Sequence, residues 1–191
     1  WLSNKAAEKL AKQSKVLRVE DDIAVQILEN FNSEKVTGKA KISPQPNQVL
    51  PWGIDKIDAE KVWVSSTADL INVGVIDTGI SNTHPDLLAN VKGGVNIINS
   101  RKSWSDDNGH GSHVAGIIGA LDNSVGVVGV GPAINLYAIK VLDRNGSGYL
   151  SDIIEGLQWA INNKMQVVNL SLGASTGNQS FHDAIIATKN A

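Results

Sequence analysis

Ile71-Asn72-Val73-Gly74-Val75-Ile76-Asp77-Thr78-Gly79 is an apolar run that closes on a carboxylate and a glycine turn. Its Ile and Val residues are the usual filling of a strand buried on both faces. Outward from it, strands and helices alternate. His110 to Leu121 reads as a helix, Asn135 to Val141 as a second strand, and Leu150 to Asn163 as a helix with Ile153, Ile154, Leu157, Ala160 and Ile161 on one face. Gln166 to Leu170 reads as a third strand and Phe181 to Lys189 as a further helix. Alternation of this kind predicts an α/β fold, a parallel sheet with helices on both faces. In such sheets, sites gather at the carboxyl ends of strands, where Asp77 and Ser171 both fall.

Three stretches differ in character. Residues 1–28 read as a small α+β unit, with a helix over Ala6 to Lys12 and a short alternating strand over Val16-Leu17-Arg18-Val19-Glu20. Residues 29–47 are rich in Asn, Ser, Lys and Gln and contain Pro44 and Pro46, which is linker composition. Residues 48–191 hold the dense α/β pattern.

The 191 residues are 42% hydrophobic with a formal charge of −2, which supports a packed core and argues against a dedicated nucleic-acid binder. The absence of Cys excludes both disulfides and thiolate metal sites. No apolar run approaches the ~20 residues needed to span a bilayer. The chain begins at Trp1, and no signal-peptide pattern is visible.

The chemistry lies in a second motif, Asn108-Gly109-His110-Gly111-Ser112-His113-Val114-Ala115-Gly116. A strand-end Asp more often caps a turn, and a lone His at a helix start is more often structural. Together they form a more specific pattern, because an Asp ending a buried strand can orient an imidazole at a helix start. Those are two of the three groups of a serine-hydrolase triad. A zinc site from His110 and His113 with Asp106 and Asp107 is disfavoured, since the His-Glu-x-x-His arrangement is lacking.

These motifs, with Pro51-Trp52-Gly53-Ile54, His84-Pro85-Asp86-Leu87, Val141-Leu142 and Val168 to Gly173, resemble subtilisin-like serine peptidases from Gln48 to Ala191. The resemblance implies that Asp77 and His110 belong to a triad of chain order Asp, His, Ser. It assigns His113 a buried, hydrogen-bonded role. Ser112 stands where the family usually has Thr, with the hydroxyl kept. Substrate would add as a β-strand along Gly146, Ser147 and Gly148, faced by Ser171, Leu172 and Gly173, with Leu150 and Ile153 lining an apolar pocket.

The resemblance also implies a Ca²⁺ site from the side chains of Gln48, Asp86 and Asn123 and the carbonyls of Leu121, Val125 and Val127. Residues 1–28 resemble the second half of the family's propeptide, an intramolecular inhibitor, with processing between about Leu28 and Gln48. A secreted endopeptidase acting on polypeptides is expected, without nucleic-acid or membrane partners. No serine here has the nucleophile's context, and the oxyanion Asn is also missing, so this segment alone is expected to be inactive. The alternative is an inactive peptidase-like domain that grips extended peptides.

Overall fold

A computed structural model describes residues 2–27, 46–174 and 176–191. The N-terminal piece contributes α1 (Asn4–Ala11) and β1 (Ala24–Ile27). The body contributes α2 (Trp52–Lys56), α3 (Ala59–Val62), β2 (Asn72–Asp77), β3 (Val91–Asn96), α4 (His110–Gly119), β4 (Asn135–Lys140), β5 (Ser147–Tyr149), α5 (Leu150–Asn162), β6 (Val167–Leu170), β7 (Leu172–Gly173) and α6 (Gln179–Asn190).

The expected parallel sheet is present, in the order β3-β4-β2-β6. Side chains alternate across it, so each face has its own core. Val73 and Val75 of β2 pack with Leu136 and Ala138 of β4 against Val114 and Ala115 of α4. Ile76 and Ile139 turn the other way, toward Ile153, Leu157 and Ala160 of α5. Each such fully buried Ile or Leu contributes about 1.5–3 kcal/mol. The helices anticipated from periodicity agree with those observed to within two residues at each end. The start of α6 moves back to Gln179 because Asn178 caps it, its side chain accepting from the Phe181 N–H at 2.9 Å.

One strand was not foreseen and one expected strand is not formed. The strand β3 was not anticipated, because Lys92, Gly93 and Gly94 break its apolar run. It is a half-buried edge strand with a register slip between Val91 and Gly93. The strand expected over Val16 to Glu20 is not formed, and the strand of this unit is Ala24–Ile27. Leu17 is 87% exposed. The alternation reflects docking by side chains instead: Arg18 and Glu20 are engaged with α6. The proposed linker lies, through residue 45, outside the described residues.

Candidate active site

Asp77 ends β2, one of the two inner strands, and is fully buried. The start of α4 comes to it at close range. Gly111 makes that approach possible, since a Cβ there would lie 2.1 Å from the Gly79 carbonyl oxygen and 3.1 Å from Asp77 Oδ1. Gly109, at φ 109°, supplies the left-handed turn that aims the helix. His110, its first residue, is 7% exposed and sets Nδ1 at 2.8 and 2.9 Å from the two Asp77 carboxylate oxygens.

An ionised carboxylate only accepts, so Nδ1 is the donor and Nε2 is the ring's base. Burial raises the pKa of Asp77, opposed by the His110 ring and the Thr78 N–H, which donates at 2.6 Å.

Three residues assigned no such role from the sequence hold this arrangement. Thr78 Oγ1 accepts from the Gly111 N–H at 3.0 Å and donates to Asp106 at 2.9 Å. Asp106 also accepts from the N–H groups of Asn108, Gly109 and Ser112 and from the Ser112 hydroxyl. Burial alone would raise the Asp106 pKa, but these donors, Gly109 first, bring it below the usual value. The Ser112 hydroxyl, bonded to Asp106 at 2.6 Å, also accepts from the Ser81 N–H.

Lys140, 3% exposed, donates to the carbonyls of Thr78 and Leu142 and to Asp107 at 2.6, 2.8 and 2.7 Å. A lone Lys in the apolar run Leu136 to Leu142 was the available signal, since a buried charge requires partners.

His113 departs from expectation, being exposed rather than buried. One turn of helix explains it: His113 and Ile117 share the outer face, while His110, Gly111, Val114 and Ala115 face inward. His110 and His113 therefore do not converge. Among the described residues, no group of three or more His, Asp or Glu side chains is arranged to hold a metal ion.

The residues expected to receive substrate surround β1. This strand pairs antiparallel with β5, Val25 opposite Gly148 and Gln26 opposite Ser147, and with β7, Gln26 opposite Gly173 and Ile27 opposite Leu172. The Ile27 N–H donates to the Gly146 carbonyl at 3.0 Å, and the Leu150 N–H to the Ile23 carbonyl at 2.9 Å. Val25, 1% exposed, enters the apolar cluster that contains Leu150 and Ile153. Ser171 stands apart, its hydroxyl bonded to Asn169. Asn108 joins the two regions: its Oδ1 accepts from the His110 N–H and its Nδ2 donates to the Arg144 carbonyl, just ahead of β5.

The six residues expected to hold Ca²⁺ are also brought together. Asn123 Nδ2 and the Val127 N–H donate to the two oxygens of Asp86, and the Asn123 N–H donates to Gln48 Oε1. The loop wraps Asp86 so closely that a Cβ on Gly126 would lie 2.4 Å from Oδ2. The carbonyls of Ser124 and Gly126 are used by the N–H groups of Gln48 and Val49. Those assigned to the ion, on Leu121, Val125 and Val127, are not the ones used in this pairing. Asp122, missed in the sequence, accepts from Gln48 Nε2 at 2.8 Å. In this arrangement N–H donors meet both oxygens of Asp86, and the oxygens that would suit a hard cation are those of Asp86 and of the Gln48 and Asn123 amides.

Residues 69–191 match the model of the subtilase family, and the chain belongs to that family. It is 40% identical over 191 residues to the thermostable alkaline protease of Halalkalibacterium halodurans, covering 100% of this chain and 47% of that protein. It is 42% identical over 167 residues to subtilisin E of Bacillus subtilis, covering 86% and 43%. To subtilisin Savinase of Lederbergia lenta it is 48% identical over 139 residues, covering 72% and 51%. The chain thus spans about half the length of these relatives. No described helix is long and apolar enough to cross a membrane.

Proposed function

We propose that this chain carries the Asp and His of a secreted serine endopeptidase whose nucleophilic Ser and oxyanion Asn lie outside residues 1–191. The supporting observation is the buried Asp77–His110 pair, linked through Asn108 to a cleft that holds an extended strand. His110 Nε2 takes the proton of the serine hydroxyl as it attacks the peptide carbonyl, then gives it to the departing amine. Asp77 orients the ring and stabilises the imidazolium. A polypeptide substrate takes the place of β1 between β5 and β7, its backbone completing the ladder. Residues 1–28, the propeptide portion, hold that place beforehand and act as intramolecular inhibitor. Full-length protein will react with a fluorophosphonate probe, and His110→Ala will abolish labelling. Equal labelling without His110 overturns the mechanism.

In the same reading, Gln48, Asp86 and Asn123, with the carbonyls of Leu121, Val125 and Val127, hold Ca²⁺. Turning the Asn123 and Gln48 amides over presents oxygen where nitrogen now meets a carboxylate. A bound ion would fasten residues 46–49 to the loop 121–127 and contribute stability rather than chemistry. Calcium at a hundred times its Kd will stabilise the fold by about 2.7 kcal/mol in thermal melts, and Asp86→Asn will remove the effect.

A further inference from the structure

Asp77 and Lys140 end neighbouring strands as register partners. Their side chains leave the sheet toward α4, on the face opposite to Ile76 and Ile139. Asp77 meets the His110 ring, and Lys140 meets the turn that carries His110. An ammonium has three N–H donors and no acceptor. All three are used here, each on a different segment. Thr78 follows Asp77, Asp107 precedes Asn108 in the turn before α4, and Leu142 opens the connection to β5. The two carbonyls are neutral, so Asp107 supplies the counter-charge, 2.7 Å away. The Asp107 side chain is 56% exposed, so packing does little to hold it. Asn108 comes next, with Oδ1 on the His110 N–H and Nδ2 on the Arg144 carbonyl. Gly109, at φ 109°, has no side chain to brace the turn. Asp106 holds the turn toward Thr78 Oγ1, and the Lys140–Asp107 pair holds it to β4.

We infer that Lys140 is a positioning residue for the catalytic pair, and that its bond to Asp107 fixes the turn that aims the His110 ring at Asp77. It acts through Asp107, Asn108 and Gly109. The same ammonium holds the Leu142 carbonyl, so the edge of the cleft and the catalytic pair share one anchor. Two roles of this buried cation are separable. Its bonds to Thr78 and Leu142 join strand ends and serve the fold, whereas its bond to Asp107 reaches the turn and serves the ring. This inference rests on reading Asp77 and His110 as the catalytic pair.

The test is NMR of the intact chain, reading the exchange with water of the proton between His110 Nδ1 and Asp77. Hydrogen exchange at the Leu136 amide, bonded to the Asn90 carbonyl, reports the body. Asp107→Ala removes the carboxylate from the turn and leaves Lys140 both carbonyls. It will speed exchange of the ring proton about fivefold relative to the Leu136 amide. Lys140→Met, which also takes the donor from the two carbonyls, will raise that ratio more than about tenfold. Asp69→Ala, an exposed carboxylate ahead of the far end of β2, makes the same change in charge and will leave the ratio within about twofold. In full-length protein, Asp107→Ala will lower kcat on a chromogenic peptide about fivefold and leave KM within about twofold. An unchanged ratio in Asp107→Ala overturns the inference, because ring and body then loosen together or not at all. So does an equal rise in Asp69→Ala, which would make net charge the cause, or a change in KM with kcat unaltered. Ring exchange requires no nucleophile. A full-length wild type without turnover would therefore sink the peptidase reading and leave the ring measurement to decide on Lys140.

Discussion

The end of β2 and the acidic run before β1 both bring carboxylates to helix starts, and they do so in opposite environments. Asp77 meets α4 inside the core, where burial raises its pKa. Glu20 meets α6 at the surface, where the Ser180 hydroxyl leads the groups that lower its pKa. The buried carboxylate is fixed by packing and cannot separate from His110 without opening the sheet. The exposed ones are fixed by their donors, with no core packed around them. A buried pair and a surface contact thus use one kind of group, and burial separates them.

The sharpest way to break this comparison is Asp77→Asn in full-length protein. Turnover will fall by about four orders of magnitude, measured with a chromogenic peptide, because the ring loses the acceptor that selects its tautomer. The same variant sharpens the stability side. With its pKa raised on folding, ionised Asp77 costs stability, and the wild type loses stability as pH rises through that titration. The variant will lack this loss, as read from urea midpoints across pH.

Next in size is Gly111→Ala, which forces α4 away from the Gly79 carbonyl. It will destabilise by about 1–3 kcal/mol in urea unfolding.

Asp106→Asn tests whether hydrogen bonds can reverse the effect of burial. A pKa lowered on folding adds stability above the unfolded value, which is lost as pH falls through the folded one. Wild type will therefore lose stability relative to the variant on acidification, followed by urea midpoints from neutral pH downward.

Arg18→Met will have the smallest effect. The Arg18–Asp183 pair, 2.5 Å apart, is partly exposed on both sides, so its loss will change Ile27 exchange by no more than about fivefold, and high salt will erase the difference.

The legible residues were those whose neighbours in sequence already suggest a role. Asp77 follows an apolar strand, and His110 sits among glycines at a helix start. The roles of Asp106 and Thr78 were overlooked because they join segments that only folding assembles. Val16 to Glu20 misled because its alternation matches a strand, yet no ladder partner for it exists among the described residues. His113 misled because membership of the motif said nothing about which side of α4 it would take.

By itself, the sequence determined the periods of two and near four that make strands and helices, the parallel architecture, and the pairing of an acid with an imidazole. These follow from local propensity and from which side chains leave water. Tertiary structure alone decided that β1 lies between β5 and β7, that Lys140 finds three acceptors, and that Glu20 and Asp22 close two different helix starts. Each depends on distances between residues remote along the chain, and those distances exist only after the sheet has formed and the helices have packed on it.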